Sequence, residues 1–229
     1  MELFNREEEL VNSFTERSND FLKSLLHKSV SKYFLVHEFD SYFGVADVVL
    51  GTFKSGVGQR RSRDPINPNW IAPLASMKRG TKLSIENFCQ SFGLSKNSAV
   101  KRLDEYEHAG FLQRREDNIF HVVKEYEPVA DLVISVEAKL KDWRKALTQA
   151  QRYKRFSDFA FVLLDGTRTS AAIANLEMFK FHNIGLVSLT ENKLQFHFVP
   201  QQNERKKNEN YLRINEVAYE CFTSMKTAY

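Results

Sequence analysis

The chain is 229 residues long, with 42% apolar, 13% aromatic and 27% charged residues, which allows a buried core and excludes a disordered chain. Lysine and arginine total 33 against 29 aspartates and glutamates, and a net charge of +4 does not by itself name nucleic acid as a partner. Cys89 and Cys221 stand in no metal-ligand spacing and the 6 histidines form no H-x-x-H pair, which argues against zinc and against a disulfide framework. No run reaches the roughly 18 apolar residues of a membrane helix, and MELFNREEEL lacks the regions of a signal peptide. The expectation is a cytoplasmic protein with no membrane contact.

Taken in chain order, residues 3–29 predict an amphipathic helix, because Leu10, Phe14, Phe21, Leu22, Leu25 and Leu26 recur at three- and four-residue spacings. Residues 33–41 and 44–53 are rich in strand formers, and the short connection from Asp40 to Gly44 predicts a hairpin. Residues 54–69 change character. Gly56, Gly58, Pro65, Pro68 and the basic run Arg60, Arg61, Arg63 read as a linker or exposed loop. Helix and turn signals then dominate to about residue 112.

The second half has a different rhythm. A strand at 131–139 is followed by a helix at 142–156 that Asp142 caps. The apolar run 158–165 has the pattern of a strand buried on both faces. A helix at 170–183 and strands at 184–190 and 193–200 complete the alternation. Beyond a polar stretch, residues 211–229 predict a last helix. The outer parts therefore read as an α/β fold with a central mixed sheet flanked by helices. Residues 70–125 read as an insert between two parts of that sheet, tolerated because the ends of an insert can lie close together.

The chemistry concentrates on two strands. Asp47 lies in one, Glu137 and Lys139 in the other, and positions two apart on a strand share a face. Unpaired charges within otherwise apolar strands are costly, so such groups are kept where they meet a metal, a substrate or one another. A plain salt bridge between Glu137 and Lys139 on an exposed face is the simpler alternative.

Asp47 followed by Glu137-Ala138-Lys139 resembles the active-site signature of the PD-(D/E)xK nuclease superfamily, with Ala46 where the usual proline stands. Gln149 and Tyr153, on the helix after the motif, resemble the Q-x-x-x-Y pattern of RecB-like members. The resemblance covers residues 1–53 and 126–200. It implies a restriction endonuclease-like core in which Asp47, Glu137 and the Ala138 carbonyl hold Mg²⁺ or Mn²⁺. It also implies that Lys139 acts on the attacking water and the growing phosphate charge. Gln149 would position Lys139 or a water, and Tyr153 would reach the phosphate backbone. A third carboxylate is often supplied by the first helix of this superfamily. Glu7 is the candidate, since it shares the stripe of Leu10 and Phe14, and Glu38 in the first strand is its rival.

The insert has its own signals. Residues 70–79 predict a first helix, Ser84 caps a second, and Gly93 allows a tight turn. Ser95 caps a third helix, which Gly110 ends. Two short strands follow, separated by Glu116-Asp117-Asn118. Leu83, Phe88, Leu94, Val100, Leu103, Leu112 and Phe120 would form the core. The whole resembles a winged helix-turn-helix domain. In a DNA-binding reading Lys96, Asn97, Ser98, Lys101 and Arg102 face a groove, while Arg114, Arg115 and the basic loop Arg60, Arg61, Arg63 meet phosphates. Asp104, Glu105 and Glu107 on the same helix would repel a backbone, so a structural or dimerising role stays open.

The expected domains are thus a discontinuous nuclease-like core at 1–53 and 126–229, a basic linker at 54–69 and a winged helix insert at 70–125. The expected function is metal-dependent DNA endonuclease, with RNA not excluded. The alternative is a catalytically silent DNA-binding or assembly protein on the same fold. A homodimer is a further expectation, with Tyr211, Leu212, Val217, Tyr219 and Phe222 as its interface unless that stretch docks on its own chain.

Overall fold

The computed structural model describes residues 4–57, 62–116, 118–191, 193–204 and 208–227. Arg60 and Arg61 lie outside the described residues. The elements in chain order are α1 (Glu7–Glu16), α2 (Ser18–Leu26), β1 (Tyr33–Asp40), β2 (Val45–Phe53), α3 (Ile71–Ser76), β3 (Lys82–Ser84), α4 (Ile85–Phe92), α5 (Lys96–His108), β4 (Leu112–Glu116), β5 (Ile119–Val122), β6 (Ala130–Lys139), α6 (Trp143–Tyr153), β7 (Phe159–Asp165), α7 (Ser170–Ile173), α8 (Leu176–His182), β8 (Gly185–Leu189), β9 (Leu194–Phe198) and α9 (Glu209–Thr227). They form two compact units, residues 1–54 with 130–210 and residues 55–129 with 211–229.

The first unit is an α/β layer structure around a six-stranded mixed sheet of order β1-β2-β6-β7-β8-β9. β6, β7 and β8 run parallel, joined through α6 and through α7 and α8, while β1, β2 and β9 pair antiparallel. Alternation sorts the strand residues. Val48, Leu50, Ile134, Val136, Phe161 and Leu163 pack with Leu10, Phe14, Phe21 and Leu22 of α1 and α2. Ala160, Val162 and Leu164 face the other way, onto Trp143, Ala146, Leu147 and Ala150 of α6 and Phe179 of α8. Each buried leucine- or phenylalanine-sized side chain contributes roughly 1.5–3 kcal/mol. At Gly51 a Cβ would come 1.9 Å from the Leu132 carbonyl, so only glycine lets β2 and β6 approach there.

The expected first helix is two. The chain breaks at Arg17 (φ −102°, ψ 9°). The Ser18 hydroxyl donates to the Thr15 carbonyl at 2.7 Å, which satisfies a group freed by the break. Periodicity did not mark the break because both helices lay their apolar stripe on the same sheet face.

The second unit holds α3, α4 and α5 with a three-stranded antiparallel sheet of order β3-β5-β4. Ser84 and Ser95 cap α4 and α5 by accepting from the Asn87 and Ser98 N–H groups, and Gly93 (φ 63°) makes the turn between them. Leu83, Phe88, Leu103, Leu112 and Phe120 are buried together, with Leu94 and Val100 at the margin. β3 was not foreseen, because three residues carry no readable period.

Two expectations about this region are corrected. The C-terminal helix clusters with the second unit from Tyr211 onward rather than with the α/β core. Of the residues offered as a dimer interface, Tyr211, Tyr219 and Phe222 are buried, Leu212 packs on the core of the second unit and Val217 is half-buried, so most of that apolar face is covered by the chain itself. Nor are residues 54–69 all linker: Ile66 is fully buried in that core, and Pro68–Trp70 form a 3-10 turn. No helix among the described residues is long and apolar enough to cross a membrane.

Candidate active site

Because Val48 is in register with Val136, Asp47 and Glu137 come level one step along, on the face opposite α1 and α2. α6 covers that face. Its Asp142 cap accepts from the Lys145 N–H at 3.1 Å, and its inward stripe ends in Tyr153. Helix and strands thus deliver Asp47, Glu137, Lys139 and Tyr153 to one place. α1 adds Glu7 from its first turn.

Lys139 is the centre of the cluster. Its Nζ donates to the Ala138 carbonyl at 2.8 Å and to Glu7 Oε2 at 3.0 Å, and lies 3.1 Å from Glu137 Oε1 and 3.9 Å from Asp47 Oδ2. The carboxylates are themselves held. The Ala138 N–H donates to Asp47 Oδ2 at 2.7 Å, and the Tyr153 hydroxyl stands 2.7 Å from Glu137 Oε2. Glu137 is 1% exposed and Lys139 9%, so this is a buried charge cluster opening to solvent through Asp47 and Glu7.

The electrostatics follow from burial and proximity. Burial pushes the Glu137 carboxyl above the ordinary carboxylate range and the Asp47 charge adds to the rise, against Tyr153 and Lys139. Burial also raises Asp47, opposed by the Ala138 N–H and Lys139 and helped by the charges of Glu7 and Glu38. Burial alone would lower Lys139, but Glu137, Glu7 and Asp47 outweigh it and keep the ammonium above its usual range. The Tyr153 phenol is pushed up by burial and by Glu137, so it remains a donor.

Both candidate third carboxylates come near. Glu7 pairs directly with Lys139. Glu38 lies level with Asp47 across the β1–β2 register and has a left-handed backbone (φ 51°), unusual for a strand residue. Gln149 sits one turn before Tyr153, with its amide oxygen buried and without a hydrogen-bond partner. Sequence reasoning missed Arg152 and Arg155, which flank Tyr153 and reach the β1–β2 connection. Arg152 Nη1 donates to the Phe43 carbonyl at 3.2 Å and the Arg155 guanidinium lies 4.4 Å over the Phe43 ring. Their spacing around Tyr153 was the available signal.

As for a metal, no group of three or more His, Cys, Asp or Glu among the described residues is gathered as a ready ligand set. The donors nevertheless fit Mg²⁺ or Mn²⁺ in kind. Asp47, Glu137 and the Ala138 carbonyl are hard oxygens converging on one cation, the Lys139 ammonium. Mg²⁺ is commonly held by one or two carboxylates with waters and substrate phosphate completing its shell.

The cations expected to meet DNA divide. Lys96, Asn97, Lys101 and Arg115 are exposed and Ser98 half-buried at the start of α5 or along β4. Arg63 is withdrawn from the set: its side chain is 8% exposed and gives a two-pronged ion pair to Glu216, at 2.7 and 2.6 Å, with Tyr219 stacked 3.9 Å away. Arg102 lies 5.4 Å over the Trp70 ring with its Nε buried. Arg114 is engaged by Asp104 and by Glu107, the acids of α5 that would otherwise repel a phosphate backbone. Sequence alone does not separate a buried, paired arginine from a free one.

No protein-family model and no curated protein matches the chain. A solved structure of a protein of unknown function from Silicibacter pomeroyi shares 13% identity over 42% of this chain and 62% of its own, with a TM-score of 0.31, a likeness too slight to argue from.

Proposed function

We propose that the α/β unit is a metal-dependent DNA endonuclease of the PD-(D/E)xK kind, hydrolysing phosphodiester bonds at the cluster of Asp47, Glu137 and Lys139. The observation that carries the reading is the convergence of two strand carboxylates and the Ala138 carbonyl on one lysine, beneath a helix that contributes Tyr153. Asp47, Glu137 and the Ala138 carbonyl would hold Mg²⁺ or Mn²⁺, which when bound supplies Lewis-acid polarisation of the phosphate and acidifies an attached water.

The chain's own groups have distinct roles. Tyr153 and the Ala138 N–H fix the orientation of Glu137 and Asp47. Lys139 orients the attacking water and stabilises negative charge growing on the phosphate oxygens, where a preorganised cation in a dry site is worth most. Glu7 positions Lys139. Gln149, one turn before Tyr153 on α6, is assigned the positioning of Lys139 or of a water.

The second unit is read as a winged helix that docks DNA. Its order of α3, β3, α4, α5, β4 and β5 and the glycine turn at Gly93 support this, and Lys96, Asn97, Lys101 and Arg115 are the contacts assigned. One observation favours the alternative of a silent DNA-binding protein: Lys139 is fully engaged by neighbouring oxygens and is self-consistent as a buried ion cluster.

Cleavage of duplex, branched and single-stranded DNA in Mg²⁺ or Mn²⁺, compared with EDTA and with Asp47→Asn, separates the two. The proposal expects metal-dependent products that the variant does not make. Tight binding with no product in either metal would transfer the chain to the silent class.

A further inference from the structure

We propose that the tip of the β1–β2 hairpin is a stacking platform that seats an unpaired base of single-stranded DNA beside the carboxylate–lysine cluster. The inference rests on the nuclease reading and adds a substrate class to it.

The tip exposes two large aromatic rings, Tyr42 at 56% and Phe43 at 45%. Folding alone gives no reason to leave such area in water. The tip is also fixed in place. Tyr42 adopts a left-handed conformation (φ 60°). Asp40 accepts from the Tyr42 N–H at 2.8 Å, and the Ser41 N–H and hydroxyl both donate to the Gly44 carbonyl, at 3.1 and 2.7 Å. Strain of this sort persists only where surrounding bonds impose it, and it gathers at functional positions. A tip whose backbone is already fixed has less entropy to lose on receiving a ligand.

The surroundings indicate what that ligand is. Arg155 lies over Phe43 and Arg152 holds its carbonyl, so cations border the rings. A cavity of about 470 Å³ is lined by Tyr42, Phe43, Arg155, Asn208, Glu209 and Asn210, within the size range that accepts a small planar group. Glu209 keeps phosphate from its own wall, which leaves the backbone to the arginine side and the base to the rings. Aromatic faces flanked by cations are the means by which proteins hold single strands without reading sequence. Bases of an intact duplex are already stacked and gain nothing there.

The platform is joined to the chemistry. Asp47 lies just past the tip on β2, and the Tyr153 hydroxyl bridges from the Val45 carbonyl, at 2.6 Å, to Glu137. A base on Phe43 therefore brings its neighbouring phosphates toward the cluster.

The test uses the full chain in EDTA, so that binding is read without turnover. A single-stranded oligodeoxynucleotide of about 12 nucleotides, carrying one 2-aminopurine, reports stacking by quenching, with the blunt duplex and the RNA of the same sequence as comparisons. The double variant Tyr42→Asn and Phe43→Leu removes both rings, and asparagine tolerates the left-handed backbone. Phe43→Tyr keeps a ring as the conservative control, and circular dichroism confirms the fold of each. The expected result is quenching by the wild type and by Phe43→Tyr, with loss of quenching and about 10-fold or more weaker single-strand binding in the double variant. Duplex affinity hardly changes. Undiminished quenching in the double variant, or a wild type that quenches only the RNA, overturns the proposal. Stacking without cleavage in Mg²⁺ or Mn²⁺ would remove the nuclease reading and leave the platform. Single-strand cleavage untouched by the double variant would remove the platform and leave the nuclease.

Discussion

The Tyr153 hydroxyl lies 2.7 Å from Glu137 Oε2 and 2.6 Å from the Val45 carbonyl, two acceptors around a group with one proton. It thereby ties α6, β2 and β6 together at the point where the carboxylates converge. Tyr153→Phe keeps the ring packing and removes the donor. Since Glu137 is 1% exposed, its oxygen then has no solvent to replace the bond. A loss of about 1–3 kcal/mol in unfolding free energy is expected from denaturant titration. A variant as stable as the wild type would show that the hydroxyl is not holding the site.

Under the proposed function Lys139 should separate chemistry from binding. A group used in the transition state affects the chemical rate more than the affinity. Lys139→Ala is expected to lower single-turnover cleavage by about 100-fold or more, the scale of losing one well-placed electrostatic donor. DNA affinity is expected to fall only slightly. An equal loss in affinity and rate would make Lys139 a docking residue.

How much of this was legible in the sequence depends on what each feature needs. Glu137 and Lys139 could be placed on one face because strand alternation is a local rule and their polarity stands out among apolar neighbours, whereas the meeting with Asp47 was implied by the family resemblance and is set by the β2–β6 register. The hairpin, the six strands of the α/β sheet and the Ser84 and Ser95 caps follow from equally local signals. The fate of Arg63 could not be read, because Glu216, its partner, is 153 residues away. The placement of α9 on the second unit is likewise a long-range result. The choice between Glu7 and Glu38 was open in the sequence, and the structure brings both toward Asp47 by different routes.

Stability and activity should respond to acid in opposite directions. Glu137 and Asp47 titrate above the ordinary carboxylate range, chiefly because they are buried. Between the unfolded carboxylate value, about 4.3 for glutamate, and the raised native one, the folded protein binds more protons than the unfolded chain. Unfolding free energy therefore rises as pH falls through that window. Under the proposed function the cleavage rate should fall there, because the carboxylates proposed to hold the metal must be deprotonated. Thermal melts and single-turnover rates across the acid range check the pair of slopes. Glu137→Gln should flatten the stability slope, and an unchanged slope in that variant would refute the assignment.

The Arg63–Glu216 pair should be structural and not a DNA contact. Both side chains are buried, and Glu216 also accepts from the Ile66 N–H at 2.7 Å. Glu216→Ala leaves a buried guanidinium without its partner and is expected to cost about 3–5 kcal/mol. Replacing both with apolar residues of similar volume, Arg63→Met with Glu216→Leu, should cost much less, because no charge is left buried. Chemical denaturation of the two variants compares them. If the single and double replacements are equally damaging, the ion pair is not what the second unit depends on.

The exposed cations of the second unit should govern the salt dependence of binding. Lys96, Lys101 and Arg115 are exposed, whereas Arg102 is stacked on Trp70 and Arg114 is taken by Asp104 and Glu107. Each lysine or arginine that neutralises a phosphate releases a counterion, and the slope of log affinity against log salt records how many. Replacing Lys96, Lys101 and Arg115 together by alanine should flatten that slope by about 2–3 for duplex DNA. Because none of the three belongs to the α/β unit, the single-turnover rate at saturating DNA should stay close to that of the wild type. Binding titrations over a salt series and rates at saturation give the two readouts. A slope unmoved by the triple replacement would mean that DNA does not meet α5 or β4, and the second unit would then have to be read as a structural module.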